Sequence, residues 1–476
     1  MTTDRRTFIS PKGIRRPRTV GFLAAAAVVV LATYGFGALR GAAPRGLPGG
    51  PVAPAAAPAA PADGSTTLAA PGSTTALVPG SIDQIDHAIP IWSANVAKEP
   101  RDFFSATTLA ALYHERGRLS GDLADQQKAL EAAMTAERAA PHETPARVIE
   151  AAIKFTLHDF DGAYGVAQAV VRDEPGNQTA LAVMADAELE LGHVADARAD
   201  YDRLAAMPGA TGPALDVRLA RLAYLSADGA EARHRSEAAL AATRTAAAAG
   251  ETVDLGFYEY AAAEYARLTG DAPTARKGYE AALEVRPTDL GALVGLARIQ
   301  AFDNNTADAI ATLEKAAAIA PQPETLGLLG DLEMTSGQAA DASRQFQTVR
   351  FIEQLGEIQA SVFDRVLIRF ELNHGGATEA ILAKARASLK TQPDAAGHDA
   401  VAWALYRLGR IPEAATEIAA AGGATSADAR IVFHAGAIEM AAGQTAEGRA
   451  TLGHALALGP ALDPMERAEA QGFLAR

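Results

Sequence analysis

A repeat of small residues constrains what this chain can fold into more than any other feature. Over most of the region after residue 100, one alanine position recurs every 33 to 35 residues, with longer steps of 43 and 38. Its ten occurrences are Ala129, Ala163, Ala197, Ala232, Ala275, Ala309, Ala342, Ala380, Ala414 and Gly448. A fixed period of this length is typical of a chain built from stacked pairs of helices.

Three other columns keep the same phase as the repeat alanine. Nine of the ten residues that lie twelve positions earlier are small, and Ile368 is the exception. Glycine lies five positions earlier in six units, at Gly192, Gly270, Gly337, Gly375, Gly409 and Gly443. Proline lies twelve positions later in five units, at Pro141, Pro175, Pro287, Pro321 and Pro460. We expect each glycine to end a first helix and each proline to follow a second, with small residues letting the two helices approach closely.

These columns resemble the tetratricopeptide repeat family, whose unit is a 34-residue helix–turn–helix. The resemblance covers roughly residues 103–460 and implies an all-α fold, a right-handed solenoid of about ten helix pairs within residues 81–476. A last helix that starts at Asp463 and ends near Leu474 is expected to cap the exposed end of the array.

The N-terminal region predicts a membrane anchor. The segment Val20 to Leu39 is twenty residues long without a charge, which as a helix reaches about 30 Å, the thickness of a hydrocarbon core. Six basic residues precede it and only two follow closely, so residues 1–19 are expected in the cytoplasm and the rest outside. A cleaved signal peptide is the alternative, because the segment is rich in weakly apolar alanines, among them Ala24 to Ala27 and Ala32. Residues 40–80 are rich in Pro and Ala and predict a disordered linker.

The sequence offers little that would support catalysis. It has no cysteine, no Gly-rich phosphate loop, no dinucleotide fingerprint and no nucleophile elbow. The net charge of −14 argues against a nucleic-acid partner. Scattered histidines such as His158, His434 and His454 are interpreted as packing or surface residues rather than ligands. We therefore expect no enzyme activity, no cofactor and no metal.

Function in such arrays lies on the concave face, which the first helix of each pair lines. Arginines with nearby aromatic and amide side chains recur there, a composition that is typical of protein interfaces. The candidate partner-binding residues are Arg221, Tyr260, Arg267, Arg298, Arg365, Arg369, Asn373, Trp403 and Arg407. The sequence predicts a scaffold on the outer side of a bacterial cytoplasmic membrane that binds a protein or peptide. The alternative is a periplasmic or secreted component of an envelope-assembly or polysaccharide or protein export machine.

Overall fold

The computed structural model describes residues 82–251, 253–354 and 357–475, and these form helices and turns without a strand. The predicted cytoplasmic tail, membrane anchor and linker (1–19, 20–39 and 40–80) lie outside these residues. Within the described part of the chain, no helix combines the length and the apolar character that crossing a bilayer requires.

The first eleven helices run from the start of the described region to residue 285. They are α1 (Ile82–Lys98), α2 (Phe103–Ser120), α3 (Leu123–Ala139), α4 (Thr144–Thr156), α5 (Phe160–Asp173), α6 (Gln178–Glu190), α7 (Val194–Ala205), α8 (Pro213–Leu225), α9 (Gly229–Ala248), α10 (Leu255–Leu268) and α11 (Ala272–Val285).

The other eleven continue to the C-terminus, with single 3₁₀ turns at Gly423–Thr425 and Gly459–Ala461. They are α12 (Leu290–Phe302), α13 (Thr306–Ile319), α14 (Pro323–Thr335), α15 (Ala339–Gln354), α16 (Glu357–His374), α17 (Glu379–Thr391), α18 (Ala395–Arg407), α19 (Ile411–Ala420), α20 (Ala429–Ala441), α21 (Thr445–Ala457) and α22 (Pro464–Leu474).

Helices α2 to α21 form ten consecutive hairpins. In each hairpin an even-numbered helix packs on the odd-numbered helix that follows it in the chain. Every occurrence of the repeat alanine lies on the second helix of its hairpin. The predicted all-helical repeat array is thus confirmed. Helix α1 packs on α2 at one end, and α22 packs on α20 and α21 at the other, as expected for a cap.

The turn inside each hairpin has a common backbone geometry. Five positions before the repeat alanine, φ lies between 60° and 90° in eight hairpins, and five of these residues are glycines. The other three are His158, Ala227 and Asn304. Gly375 directly follows the last residue of α16 but differs in geometry: its N–H still bonds to the Glu371 carbonyl at 2.7 Å, and Gly376 takes the left-handed conformation instead.

The small-residue column works by letting a bulky side chain of the partner helix approach the backbone. A β-carbon on Gly330 would lie 2.4 Å from the Phe346 ring, and one on Gly436 would lie 2.8 Å from Leu452. Distances under 3 Å leave no room for even a methyl group without movement. The column is therefore small because the helices of a hairpin pack too closely for larger side chains.

The array curves until early hairpins contact late ones. Arg118 on α2 pairs with Asp254, which precedes α10, at 3.3 Å, and Asp254 also pairs with Arg286 at 2.7 Å. The turn at Gly192 meets the loop before α18, since a β-carbon there would lie 2.5 Å from the Pro393 carbonyl oxygen. The inner face of the array is consequently turned toward other hairpins.

Burial of the inner helices follows from this curvature. All residues of α6 from Ala180 to Glu190 are buried, and so are all residues of α10 from Gly256 to Arg267. The resemblance implied an open concave face along the first helices, and at α6 and α10 that expectation is wrong. The physical reason is that early and late hairpins contact each other on the inner side of the curved array and exclude solvent there.

Candidate partner-binding groove

Two of the nine candidate residues, Arg221 and Arg365, form ion pairs between neighbouring hairpins. The Arg221 Nε lies 2.8 Å from the Glu190 carboxylate of the preceding hairpin. Arg365 lies 2.8 Å from the Asp394 carboxylate and donates to the Gln392 carbonyl at 2.7 Å, at the start of α18. These contacts join adjacent first helices.

The aromatic candidates are core residues. Tyr260 and Trp403 are each 1% exposed, so the expected exposed placement is wrong for both. The Trp403 ring stacks on His434 at 3.8 Å between centroids, and its indole N–H donates to the Asn373 side chain at 3.2 Å. Trp403 therefore positions Asn373 and packs beneath Arg407, whose guanidinium lies 4.6 Å from the ring centroid.

Three of the candidate arginines hold the C-terminal segment, by which we mean Gly459–Leu474. Arg267 on α10 donates to the Pro460 carbonyl oxygen at 3.1 Å. Arg298 on α12 contacts the Asp463 carboxylate at 2.7 Å, and Arg407 on α18 contacts Glu469 at 3.1 Å. The inner face thus binds an acidic segment of the chain itself.

Arg298 is the centre of this contact. It is 9% exposed and bridges Asp463 to Glu324 on α14, at 2.7 Å and 2.8 Å. Burial would raise the pKa of the Asp463 carboxyl, but Arg298, together with nearby Arg369 and Arg267, holds that pKa well below its usual range. Asp463 is therefore a carboxylate at every physiological pH, bound as an anion.

Arg369 differs from the other arginines. It has no hydrogen bond or ion pair with any residue that the structure describes, although Arg298 beside it has two carboxylate partners. Burial, followed by the charge of Arg430, lowers the pKa of the Arg369 guanidinium, although the carboxylates of Glu324, Glu466 and Asp463 nearby act in the opposite direction. It lines a cavity of about 50 Å³ together with Arg298, Glu324, Asp331, Asn373 and Glu466. We call Arg267, Arg298, Arg369 and Arg407 the arginine cluster.

The sequence reasoning found the arginines but missed the acids that face them. Asp463, Glu466 and Glu469 are spaced three residues apart, so they share one side of α22. That spacing was available as a signal, but the segment was interpreted only as a cap. Arg467 was missed as well: its guanidinium lies 4.3 Å from the Phe302 ring centroid.

The histidines are used for packing and hydrogen bonding. His434 is buried, and its Nδ1 lies 2.7 Å from the Asp399 carboxylate. Burial, followed by the charges of Arg365 and Arg221, lowers the pKa of His158 to about 4. Among the described residues, no three His, Asp or Glu side chains are grouped so that they could hold a metal ion.

Comparison with known proteins gives structural likenesses only. No family model matches the chain, and no curated protein matches it. Among solved structures, PilW, a type IV pilus biogenesis factor, covers 46% of this chain and 96% of its own, at 18% identity and a TM-score of 0.36. The human IFIT1 dimer with m7Gppp-AAAA covers 79% of this chain and 87% of its own, at 16% identity and 0.43. A tetratricopeptide repeat protein from Parabacteroides merdae covers 55% of this chain and 98% of its own, at 15% identity and 0.30. These identities and scores are too low to assign the chain to a family.

Proposed function

We propose that this protein is a scaffold anchored in the bacterial cytoplasmic membrane by Val20–Leu39, with its helical array outside the cell membrane, and that it binds a partner protein through the arginine cluster. The supporting observation is that this cluster already holds a peptide segment with acidic side chains, through Arg298, Arg407 and Arg267. A surface that binds one acidic helix by charged hydrogen bonds has the chemistry to bind another.

The unpaired arginine supports binding over a purely structural role. A buried arginine that serves only the fold is normally paired, because burying a cation without a counter-charge is costly. Arg298 and Arg267 satisfy that rule, since each contacts a carboxylate. Arg369 is partly exposed, makes no such contact within the described chain and lines a cavity, so that its guanidinium is open to a partner. We infer that a carboxylate of the partner pairs with it.

Affinity capture from membranes tests the proposal. The tagged full-length protein and an Arg369→Gln variant are purified from solubilised membranes, and co-purifying proteins are identified by mass spectrometry. We expect a partner that the wild type enriches and the variant loses, since glutamine is a polar side chain without the charge. Arg172→Gln is the matched control, because the Arg172 side chain is 74% exposed on the outer helix α5.

Two results would contradict the proposal. One is that no protein is enriched over a tag-only control. The other is that Arg369→Gln retains the partner as well as Arg172→Gln does, with unchanged circular dichroism in both. Protease added to intact spheroplasts checks the location: the helical array should be digested there, and its protection would place it in the cytoplasm.

A further inference from the structure

The contacts of the C-terminal segment exceed what a cap of the tenth hairpin requires. A cap covers the last hairpin, and α22 does so through α20 and α21. It also contacts α12 and α14, while the 3₁₀ turn at Gly459–Ala461 contacts α10 and α12. Two of these contacts join residues that are far apart in the sequence, with separations of 165 for Arg298–Asp463 and 193 for Arg267–Pro460. The segment therefore lies across the arginine cluster.

The geometry of Asp463 shows that its carboxylate serves the cluster and not its own helix. Nine other aspartates at helix N-caps in the described chain accept a hydrogen bond from a backbone N–H of the helix that they begin. Asp463 is the N-cap residue of α22 and makes no such bond. Its carboxylate contacts Arg298 instead, at 2.7 Å. An N-cap bond that stabilises the helix is given up for an ion pair.

The remaining contacts of α22 with the inner face are also polar. Glu469 pairs with Arg407, and Arg467 lies over Phe302 and donates to the Phe302 carbonyl oxygen at 3.4 Å. The apolar contacts of α22 are with the last hairpins: Ala470 is fully buried, and Phe473 and Leu474 pack against the core that the late hairpins form, while Met465 is 37% exposed. A short terminal helix whose contacts with α12 and α18 are ion pairs and hydrogen bonds is the kind of element that detaches locally while the rest of the fold stays intact.

We propose that Gly459–Leu474 is an intramolecular occupant of the arginine cluster, and that the partner is a protein with an acidic helix, its acids three residues apart, that replaces it. This inference rests on the proposed function and names both the surface and the chemistry of the partner. The charge complementarity is explicit: three acids of α22 face a cluster of four arginines. Access to the cluster then depends on the fraction of molecules in which α22 has detached, which lowers the apparent affinity by that fraction.

A peptide added in trans tests the inference on the full-length protein in detergent micelles. The probe is a fluorescent peptide with the sequence of residues 459–474, and the control peptide carries Asn and Gln at the positions of Asp463, Glu466 and Glu469. A protein variant with Asp463→Asn and Glu469→Gln weakens the internal contact and leaves the arginines in place. We expect this variant to bind the acidic peptide at least about tenfold more tightly than the wild type does, and to bind the control peptide no better than the wild type.

A second variant guards against loss of fold. Arg467→Ala removes the contacts with Phe302 but keeps all three acids, and it should shift peptide binding in the same direction. Equal affinity of wild type and both variants for the acidic peptide would overturn the inference, as would equal binding of the two peptides. A wild type that is a dimer with exchanged C-terminal segments would also overturn it, because the occupant would then come from a second copy. The proposed function can fail independently of this inference. That is the case if affinity capture from membranes yields no partner protein although the acidic peptide binds as expected.

Discussion

Ala227 occupies a backbone position that suits glycine. Its φ is 62°, in the left-handed region, at the column where five other hairpins have glycine. A β-carbon in that region costs about 1 kcal/mol. We expect Ala227→Gly to raise the free energy of unfolding by about 0.5–1 kcal/mol, measured by urea denaturation. The same substitution at Ala242, exposed on α9, should lower it by about the same amount, because glycine is unfavourable inside a helix. A loss of stability at both positions would contradict the assigned turn geometry.

Glu188 gives the fold a pH dependence of predictable sign. Its carboxyl is 5% exposed on α6, and burial, followed by the charges of Asp200 and Asp196, raises its pKa from 4.5 to about 7. The native state therefore binds this proton more tightly than the unfolded state, so the contribution to stability is favourable below about pH 4.5 and is lost as the pH rises through 7. We expect Glu188→Gln to raise the free energy of unfolding by about 1–3 kcal/mol at pH 8 and to change it little at pH 5. A gain of the same size at both pH values would indicate a packing effect instead.

Helix α22 and its N-cap make two ion pairs with the inner face, Asp463–Arg298 and Glu469–Arg407, and these make its attachment sensitive to salt. The Debye length falls from about 8 Å at physiological ionic strength to about 3 Å at 1 M, so partly exposed ion pairs weaken. We expect the amide hydrogens of α22 to exchange faster in 1 M than in 0.05 M sodium chloride. Those of α20 should change little, since Val432 and Phe433 there are fully buried. Hydrogen exchange with mass spectrometry measures both helices in one experiment, and equal responses would contradict the ionic attachment.

The hairpins could be predicted from the sequence because their determinants are local. The repeat alanine, the small residue twelve positions earlier and the proline twelve positions later all lie within one unit, where helix spacing decides the side chain. The left-handed column was only partly visible, because His158, Ala227 and Asn304 carry that geometry without a glycine. The spacing of the acids in the C-terminal segment was visible, but their partners were not, since the partners of Asp463 are determined by the path of hairpins far away in the sequence.

At the scale of the whole molecule, Asp254 joins the first hairpin to the fifth. It contacts Arg118 at 3.3 Å and Arg286 at 2.7 Å, and its carboxylate also accepts the backbone N–H of Phe257 at the start of α10. Asparagine keeps the helix cap and removes the charge. We expect Asp254→Asn to lower the free energy of unfolding by about 1–3 kcal/mol in urea denaturation.

A second aspartate serves as the control for that measurement. Asp228 caps α9 in the same way, through the N–H of Glu231, and it makes no ion pair within the described residues. Asp228→Asn should therefore stay within about 0.5 kcal/mol of the wild type. If both variants lose the same stability, the effect belongs to the cap and the contact between hairpins one and five contributes nothing measurable.

The long-range closure could not be predicted from the sequence. It depends on a small rotation between successive hairpins, summed over several of them, and no single residue fixes that rotation. The candidate arginines lie on the first helices of their hairpins, as predicted. Whether they face solvent depends on which other helices the curved array brings against them. Arg298 is 9% exposed because α22 and α14 both reach it.

The meeting of distant hairpins also fixes how many repeats this chain can have. In an open solenoid, a unit can be duplicated or deleted with consequences for its two neighbours alone. Here, deleting one hairpin between α2 and α10 would separate Arg118 from Asp254. A deletion between the Gly192 turn and Pro393 would separate those two, and one between α12 and α22 would separate Arg298 from Asp463. The hairpins that lie between such contacts are therefore held in register by units that they do not adjoin, and variation is expected as substitutions within hairpins and not as changes in their number.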